Sequence, residues 1–162
     1  MQRSEALRAW SEKICSRVLE LTEWQQARTV LLYAALPDEV NTEGLQEAAL
    51  AAGKRCLLPV VQGDILKLRP YTKTTVMQSG AFNIAEPQGE DFVDYAAIDL
   101  AIIPAMAYDL EGNRLGRGKG YYDRLLPLLN CPLIGIAYPF QILEKIPVEP
   151  WDIPVRRVVS VE

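Results

Sequence analysis

Short runs of strand-forming residues, recurring along the whole chain, limit its fold more than any other feature. Residues 29–35 form a continuous apolar run rich in β-formers, and 55–59, 99–104, 132–137 and 156–161 read as further strands. A run without polar alternation is a strand covered on both faces, which is the pattern of a parallel sheet inside helical layers. Helical signals fall between the runs. Leu7, Trp10, Ile14, Val18 and Leu21 make one stripe at three- and four-residue spacing, with Ser4 available as a cap. Thr22 can cap a short turn through Gln26, and Thr42 a helix ending at Ala52, with Gly53 as its stop. Residues 120–129 and 139–143 also read as helices. Residues 62–64 and 109–112 read as turns, 65–69 as a strand, and the polar stretch 71–90 as mostly loop. The alternation predicts an α/β domain with a mostly parallel sheet. At 162 residues and 18.1 kDa, with no repeat or linker, residues 1–162 are expected to form a single domain.

Composition removes several kinds of chemistry. Histidine is absent, which excludes Ser-His-Asp and Cys-His catalysis, histidine metal sites and a histidine pH switch. Lys plus Arg is 17 against 21 Asp plus Glu, a net charge of -4. Such a chain lacks the cation excess of a general nucleic-acid binder, so an anion site has to be a local basic patch. Cys15, Cys56 and Cys131 are far apart and form no CxxC, the pattern of buried reduced thiols in a cytoplasmic protein. The longest apolar runs are too short to span a membrane. Glu5 and Glu12, with no apolar h-region, argue against a secretion signal.

The basic patch is Asn113-Arg114-Leu115-Gly116-Arg117-Gly118-Lys119-Gly120-Tyr121-Tyr122-Asp123-Arg124. Alternate glycines let backbone N–H groups approach a ligand, and the helix expected to follow adds partial positive charge. Arg114, Arg117, Lys119 and Arg124 stand beside one acid, Asp123. This describes a phosphate cradle, with Asp123 placed to hold a Mg²⁺ that bridges phosphate oxygens. The common nucleotide fingerprints do not match. The Rossmann spacing needs glycine where Tyr121 stands, and the P-loop needs glycine at Asn113 and a hydroxyl at Gly120. A flexible glycine turn carrying solvated charge is the plain alternative.

Residues 112–124, GNRLGRGKGYYDR, resemble the signature of the 5-formyltetrahydrofolate cyclo-ligase (methenyltetrahydrofolate synthetase) family. Residues 36–42 (LPDEVNT), Gly53-Lys54-Arg55 through Leu58-Pro59, Ile84-Ala85-Glu86-Pro87, and 134–159 with Gln141, Ile146-Pro147 and Asp152 are similar to other parts of that family. The resemblance implies a three-layer α/β/α sandwich like that of the ribose-5-phosphate isomerase and CoA-transferase group. It also implies an ATP- and Mg²⁺-dependent cyclisation of 5-formyltetrahydrofolate to 5,10-methenyltetrahydrofolate, releasing ADP and phosphate. An amide oxygen leaves poorly. Once phosphorylated it leaves readily, and the folate's own N10 attacks, so no protein nucleophile is required.

The resemblance further implies which residues act. Arg114, Leu115, Gly116, Arg117, Gly118, Lys119, Gly120, Tyr121 and Tyr122 would line the ATP phosphates. Arg117, Gly118, Lys119, Gly120 and Tyr121 would also lie near the formyl group, with Arg117, Lys119 and Tyr121 as the catalytic set. Asp123 and Asp152 would ligate Mg²⁺. Glu39 would accept hydrogen bonds from the pterin ring, and Ala34 would be a wall beside the folate. The partners would be small molecules only, with no nucleic acid and no membrane, and a monomer is expected. Two departures define an alternative. Arg3 and Arg8 stand five apart and do not reproduce the family's K-x-x-x-R segment, and Trp151 precedes Asp152 where many bacterial members have His. The alternative is a member that binds folate or nucleotide without turnover. A third reading is an unrelated sugar-phosphate enzyme on the same kind of sheet.

Overall fold

The computed structural model describes residues 3–161; Met1, Gln2 and Glu162 lie outside it. In chain order the elements are α1 (Arg3–Glu20), α2 (Thr22–Gln26), β1 (Thr29–Leu31), α3 (Glu43–Ala51), β2 (Arg55–Gln62), β3 (Ile65–Tyr71), β4 (Met77–Ser79), β5 (Ala85–Pro87), β6 (Leu100–Ile103), β7 (Ala107–Asp109), β8 (Arg114–Leu115), α4 (Tyr121–Leu125), β9 (Leu133–Ile136), β10 (Ile142–Leu143) and β11 (Arg157–Val159). The main sheet runs β11-β9-β6-β1-β2-β3. All its pairings are parallel except β2 with β3. That pair is a tight hairpin, with Gln62 opposite Ile65 across Gly63-Asp64 and Gly63 at φ 63°.

The apolar runs are covered on both faces, as their lack of alternation predicts. Val30, Leu32, Leu58 and Ile102 pack with Ile14, Val18 and Leu45 of α1 and α3. Their chain neighbours Leu31, Leu57, Ala101 and Ile103 pack on the other face with Tyr108, Leu125 and Leu126. The central strands are covered on both faces, which is why β1 and β6 are largely apolar, with Thr29 the one polar residue in them.

Local signals were less exact. Ser4 lies inside α1 rather than capping it. The N-cap of α2 is Leu21, with Thr22 already helical. Thr42 does hold the N-cap of α3, but its hydroxyl donates to the Tyr33 carbonyl; Asn41 Oδ1 instead accepts the Glu43 amide at 2.8 Å. Gly53 follows α3 at φ 73°, as its stop signal predicts. The stretch 71–90 contains the β4–β5 hairpin, too short and exposed to show a strand period. Residues 139–143 are one 3₁₀ turn followed by β10. β7, β8 and β10 form a separate small sheet, ordered β10-β7-β8, that the sequence did not suggest.

Gly135 in β9 shows how closely the second layer sits on the sheet. A Cβ there would clash with ring carbons of Tyr108, which is buried and donates its hydroxyl hydrogen to the Ile103 carbonyl. Gly135→Ala is expected to destabilise the fold by about 1–3 kcal/mol through overpacking. Thermal unfolding checks this, and an unchanged Tm would show that Tyr108 has room to move.

Candidate active site

β1 and β6 are adjacent, yet the chain leaves β1 toward β2 on one side and returns to β6 on the other. Open α/β sheets bind ligands outside the carboxyl ends of strands at such a switch point. A cleft of about 130 Å³ lies there. One wall is the segment after β1, with Tyr33, Ala34, Leu36 and Glu39. Pro104 and Ala105, after β6, form the floor. The second wall is the glycine loop, contributing Arg114 and residues 116–123. The cleft thus gathers Ala34, Glu39, Arg114, Gly116, Arg117, Gly118, Lys119, Gly120, Tyr121, Tyr122 and Asp123 from segments far apart in sequence.

Two expected residues are not brought in. Leu115 pairs with Ala107 in the small sheet, is 42% exposed and is not part of the cleft lining. Asp152 closes a turn over 149–152, where its carboxylate accepts the Glu149 amide at 2.8 Å; it is absent from the cleft wall. The helix expected over 120–129 is also shorter. α4 ends at Leu125 and continues as a 3₁₀ turn, Leu126–Leu128. Its dipole is correspondingly small, so the loop's charge comes mainly from side chains.

The base of the loop is fixed by Asp109. This carboxylate is 3% exposed. It accepts the amides of Glu111 (3.0 Å), Asn113 (2.9 Å) and Ile146 (3.1 Å), and the Asn113 side-chain amide (3.0 Å). Burial pushes its carboxyl up, but these hydrogen bonds, led by Asn113, outweigh burial and hold it below the ordinary aspartate range. Beyond it the chain passes Gly112, at φ 84°, where a side chain would strike the Val155 carbonyl. Gly118 and Gly120 also have positive φ, at 90° and 72°, so the turn itself selects glycine at these positions.

The four cations of the loop are held differently. Arg114 donates to the Pro104 carbonyl at 2.9 Å, lies over the Tyr122 ring at 5.3 Å, and has Asp123 Oδ1 at 3.6 Å. Arg124 donates to the Asp64 and Lys119 carbonyls, tying the loop to the β2–β3 turn. Arg117 reaches the far wall, with Nη2 2.6 Å from Asp38 Oδ1 and 3.4 Å from Glu39 Oε2. Lys119 is exposed and makes no ion pair among the described residues.

Glu39 is the chemical contrast to this loop. It is 8% exposed and accepts the Leu36 amide at 2.9 Å. Burial pushes its carboxyl above the ordinary glutamate range, only partly offset by that amide and by Arg117. A buried carboxylate with acceptor capacity left favours a ligand that brings N–H donors.

Sequence reasoning missed the apolar rim. Val61, Leu66, Phe82 and Ile84 line the cleft from β2, β3 and the β4–β5 hairpin. Phe82 is 54% exposed, and both it and Asn83 have positive φ (60° and 58°), a strained pair at the hairpin tip. No local periodicity marks such residues, because they meet the loop only through the hairpin's placement.

The profile of the 5-formyltetrahydrofolate cyclo-ligase family matches residues 1–161. The 5-formyltetrahydrofolate cyclo-ligase of Escherichia coli K12 is 32% identical over 158 residues, covering 92% of this chain and 86% of the relative. The mouse 5-formyltetrahydrofolate cyclo-ligase is 28% identical over 161 residues, covering 90% and 79%. Among solved structures, the 5,10-methenyltetrahydrofolate synthetase of Aquifex aeolicus superposes with a TM-score of 0.85 at 39% identity, covering 98% of this chain and 81% of that one. The Mycoplasma pneumoniae 5,10-methenyltetrahydrofolate synthetase superposes at 0.74 with 26% identity, covering 99% and 100%. With the glycine loop and the buried Glu39 facing each other across a switch-point cleft, and with a match over nearly its whole length, the chain belongs to the 5-formyltetrahydrofolate cyclo-ligase family.

Proposed function

We propose that this protein is an ATP- and Mg²⁺-dependent cyclo-ligase converting 5-formyltetrahydrofolate to 5,10-methenyltetrahydrofolate, with ADP and phosphate as the other products. One observation carries the reading: a single cleft joins a cationic phosphate loop to a buried carboxylate. ATP phosphates fit the loop, and the N–H edge of the pterin fits Glu39. The formyl oxygen takes the γ-phosphoryl group. N10 then attacks the formyl carbon and gives up its proton to water, and the formyl oxygen leaves with the phosphate. Lys119 and Arg117 neutralise the moving phosphoryl charge, while Ala34 and the apolar rim hold the folate close to it. Tyr121 lines the same cleft, partly buried, and we read it as lying between the two subsites. We also read the three-layer arrangement as the ribose-5-phosphate isomerase and CoA-transferase type.

A lone carboxylate beside a phosphate loop fits Mg²⁺ arriving with a nucleotide, since this ion binds through one or two carboxylates plus phosphate oxygens. The described residues contain no cluster of three or more acidic or sulfur ligands that would form an all-protein cage. Asp123 would therefore hold the ion, which would neutralise phosphate charge. Asp152 would take part only if its turn moved toward the cleft.

Mixing the protein with Mg-ATP and 5-formyltetrahydrofolate should produce the near-ultraviolet band of the methenyl product, with none in a control lacking ATP. A flat trace with folded protein overturns the reading. Phe82→Ala should raise KM for the folate roughly three- to tenfold with a smaller effect on KM for ATP, through loss of ring contact. Equal changes in both constants would show that Phe82 acts on the cleft as a whole.

A further inference from the structure

We propose that Asp38 is a positioning residue for the loop: it occupies the Arg117 guanidinium as a stand-in anion that nucleotide phosphate must displace. The inference rests on the cyclo-ligase reading for the identity of the displacing anion. Arg117 differs from the other loop arginines in having no backbone partner among the described residues. Arg114 and Arg124 are anchored on carbonyl oxygens. Among the described residues Arg117 is held only by carboxylates of the opposite wall.

Of its two carboxylates, Asp38 is the holder. Its contact is 2.6 Å, within the range of a charge-assisted hydrogen bond, whereas both contacts to Glu39 are 3.4 Å. Asp38 also sits on fixed backbone. Gln141 Nε2 donates to the Asp38 carbonyl at 3.1 Å, and the Tyr138 hydroxyl donates to the Glu39 carbonyl at 3.1 Å. Tyr138 is 2% and Gln141 6% exposed, so this support does not yield easily. The Asp38 side chain, by contrast, is 51% exposed. Ion pairs at such exposure are weak. The result is a rigid mount carrying a weak anion, which keeps Arg117 extended across the cleft and gives way to a bidentate phosphate.

The arrangement has a defined cost for the nucleotide. An apparent affinity is reduced by the fraction of protein held in the occupied state. Removing the Asp38 charge should therefore tighten nucleotide binding without touching the folate subsite.

Calorimetric titration of wild-type and Asp38→Asn protein with a Mg²⁺-loaded, non-hydrolysable ATP analogue tests this, at low and at raised salt. Asp38→Asn should bind about two- to fivefold more tightly at low salt. The gap should narrow as salt rises, because an exposed pair is screened. Affinity for 5-formyltetrahydrofolate should stay within twofold, Tm should be unchanged, and Asp38→Glu should restore wild-type nucleotide binding. Equal or weaker nucleotide binding by Asp38→Asn, in a preparation whose wild-type protein forms the methenyl product, overturns this inference and leaves the activity standing. Failure of both proteins to bind the analogue, with no product formed, overturns the activity and this inference together.

Discussion

Lys119→Ala is expected to lower kcat/KM for methenyl formation by about 10²–10³-fold, the usual effect of removing one group that stabilises charge in a transition state. The structure separates this effect from folding. Lys119 is exposed at the cleft, makes no ion pair among the described residues, and lies in a loop whose geometry is set by Asp109 and the glycines. Exposed substitutions of this kind change stability by no more than about 0.5 kcal/mol. Its unpaired ammonium is available to a phosphoryl group, whereas Arg114 and Arg124 are already committed. Steady-state kinetics with thermal unfolding on the same samples make the comparison. Activity within tenfold of wild type would move the main charge-stabilising role to Arg117.

Asp109→Ala is expected to be the most damaging single change to stability, at about 3 kcal/mol or more. Four buried or partly buried N–H donors lose their acceptor at once, and each stranded donor costs about 1–3 kcal/mol if nothing replaces it. For a chain of this size that lowers Tm by roughly 6–12 °C. Asp109→Asn should be milder, since an amide oxygen can still accept some of these bonds. The pH dependence has a definite sign. The folded-state pKa is depressed, so the stability from this charge is present above the ordinary aspartate range and is lost as pH falls through the lower folded value. The stability gap between wild type and Asp109→Asn should thus be full at neutral pH and close in strong acid. A gap that widens in acid would contradict the assignment.

What was legible in the sequence depended on how local its cause was. Buried strands declared themselves because β1 and β6 have both faces covered and are almost wholly apolar, Thr29 excepted. The glycine loop was legible because its charge and its backbone requirements sit in one contiguous stretch. Gly118 and Gly120 do occupy the left-handed region. Asp109 gave only a turn signal, because its partner at Ile146 is distant in sequence. Phe82 and Asp38 were silent for the same reason, being functional candidates only where the hairpin tip and the segment after β1 meet the loop. Ser4 misled, and Thr42 marked the start of α3 without making the capping bond. Capping propensity names residue types that can satisfy a helix end, but a competing acceptor such as the Tyr33 carbonyl can claim the side chain.

The strand order β11-β9-β6-β1-β2-β3 also bears on how the protein is made. β1 precedes the other described strands in the chain and becomes a central one. β2 adds beside it and β3 beside β2. β6 then adds on the free side of β1, followed by β9 on β6 and β11 on β9. Every main-sheet strand thus meets a template already synthesised, and none has to insert between two that have paired. Parallel pairing is slow, because each crossover must close before its contacts form. Outward growth keeps just two edges open at any stage, which limits the unpaired edge through which nascent chains associate. The switch point sits beside the oldest strand, and its second wall arrives only once the segment after β8 has emerged. The strands that flank the switch point thus precede in the chain the loop that charges the cleft.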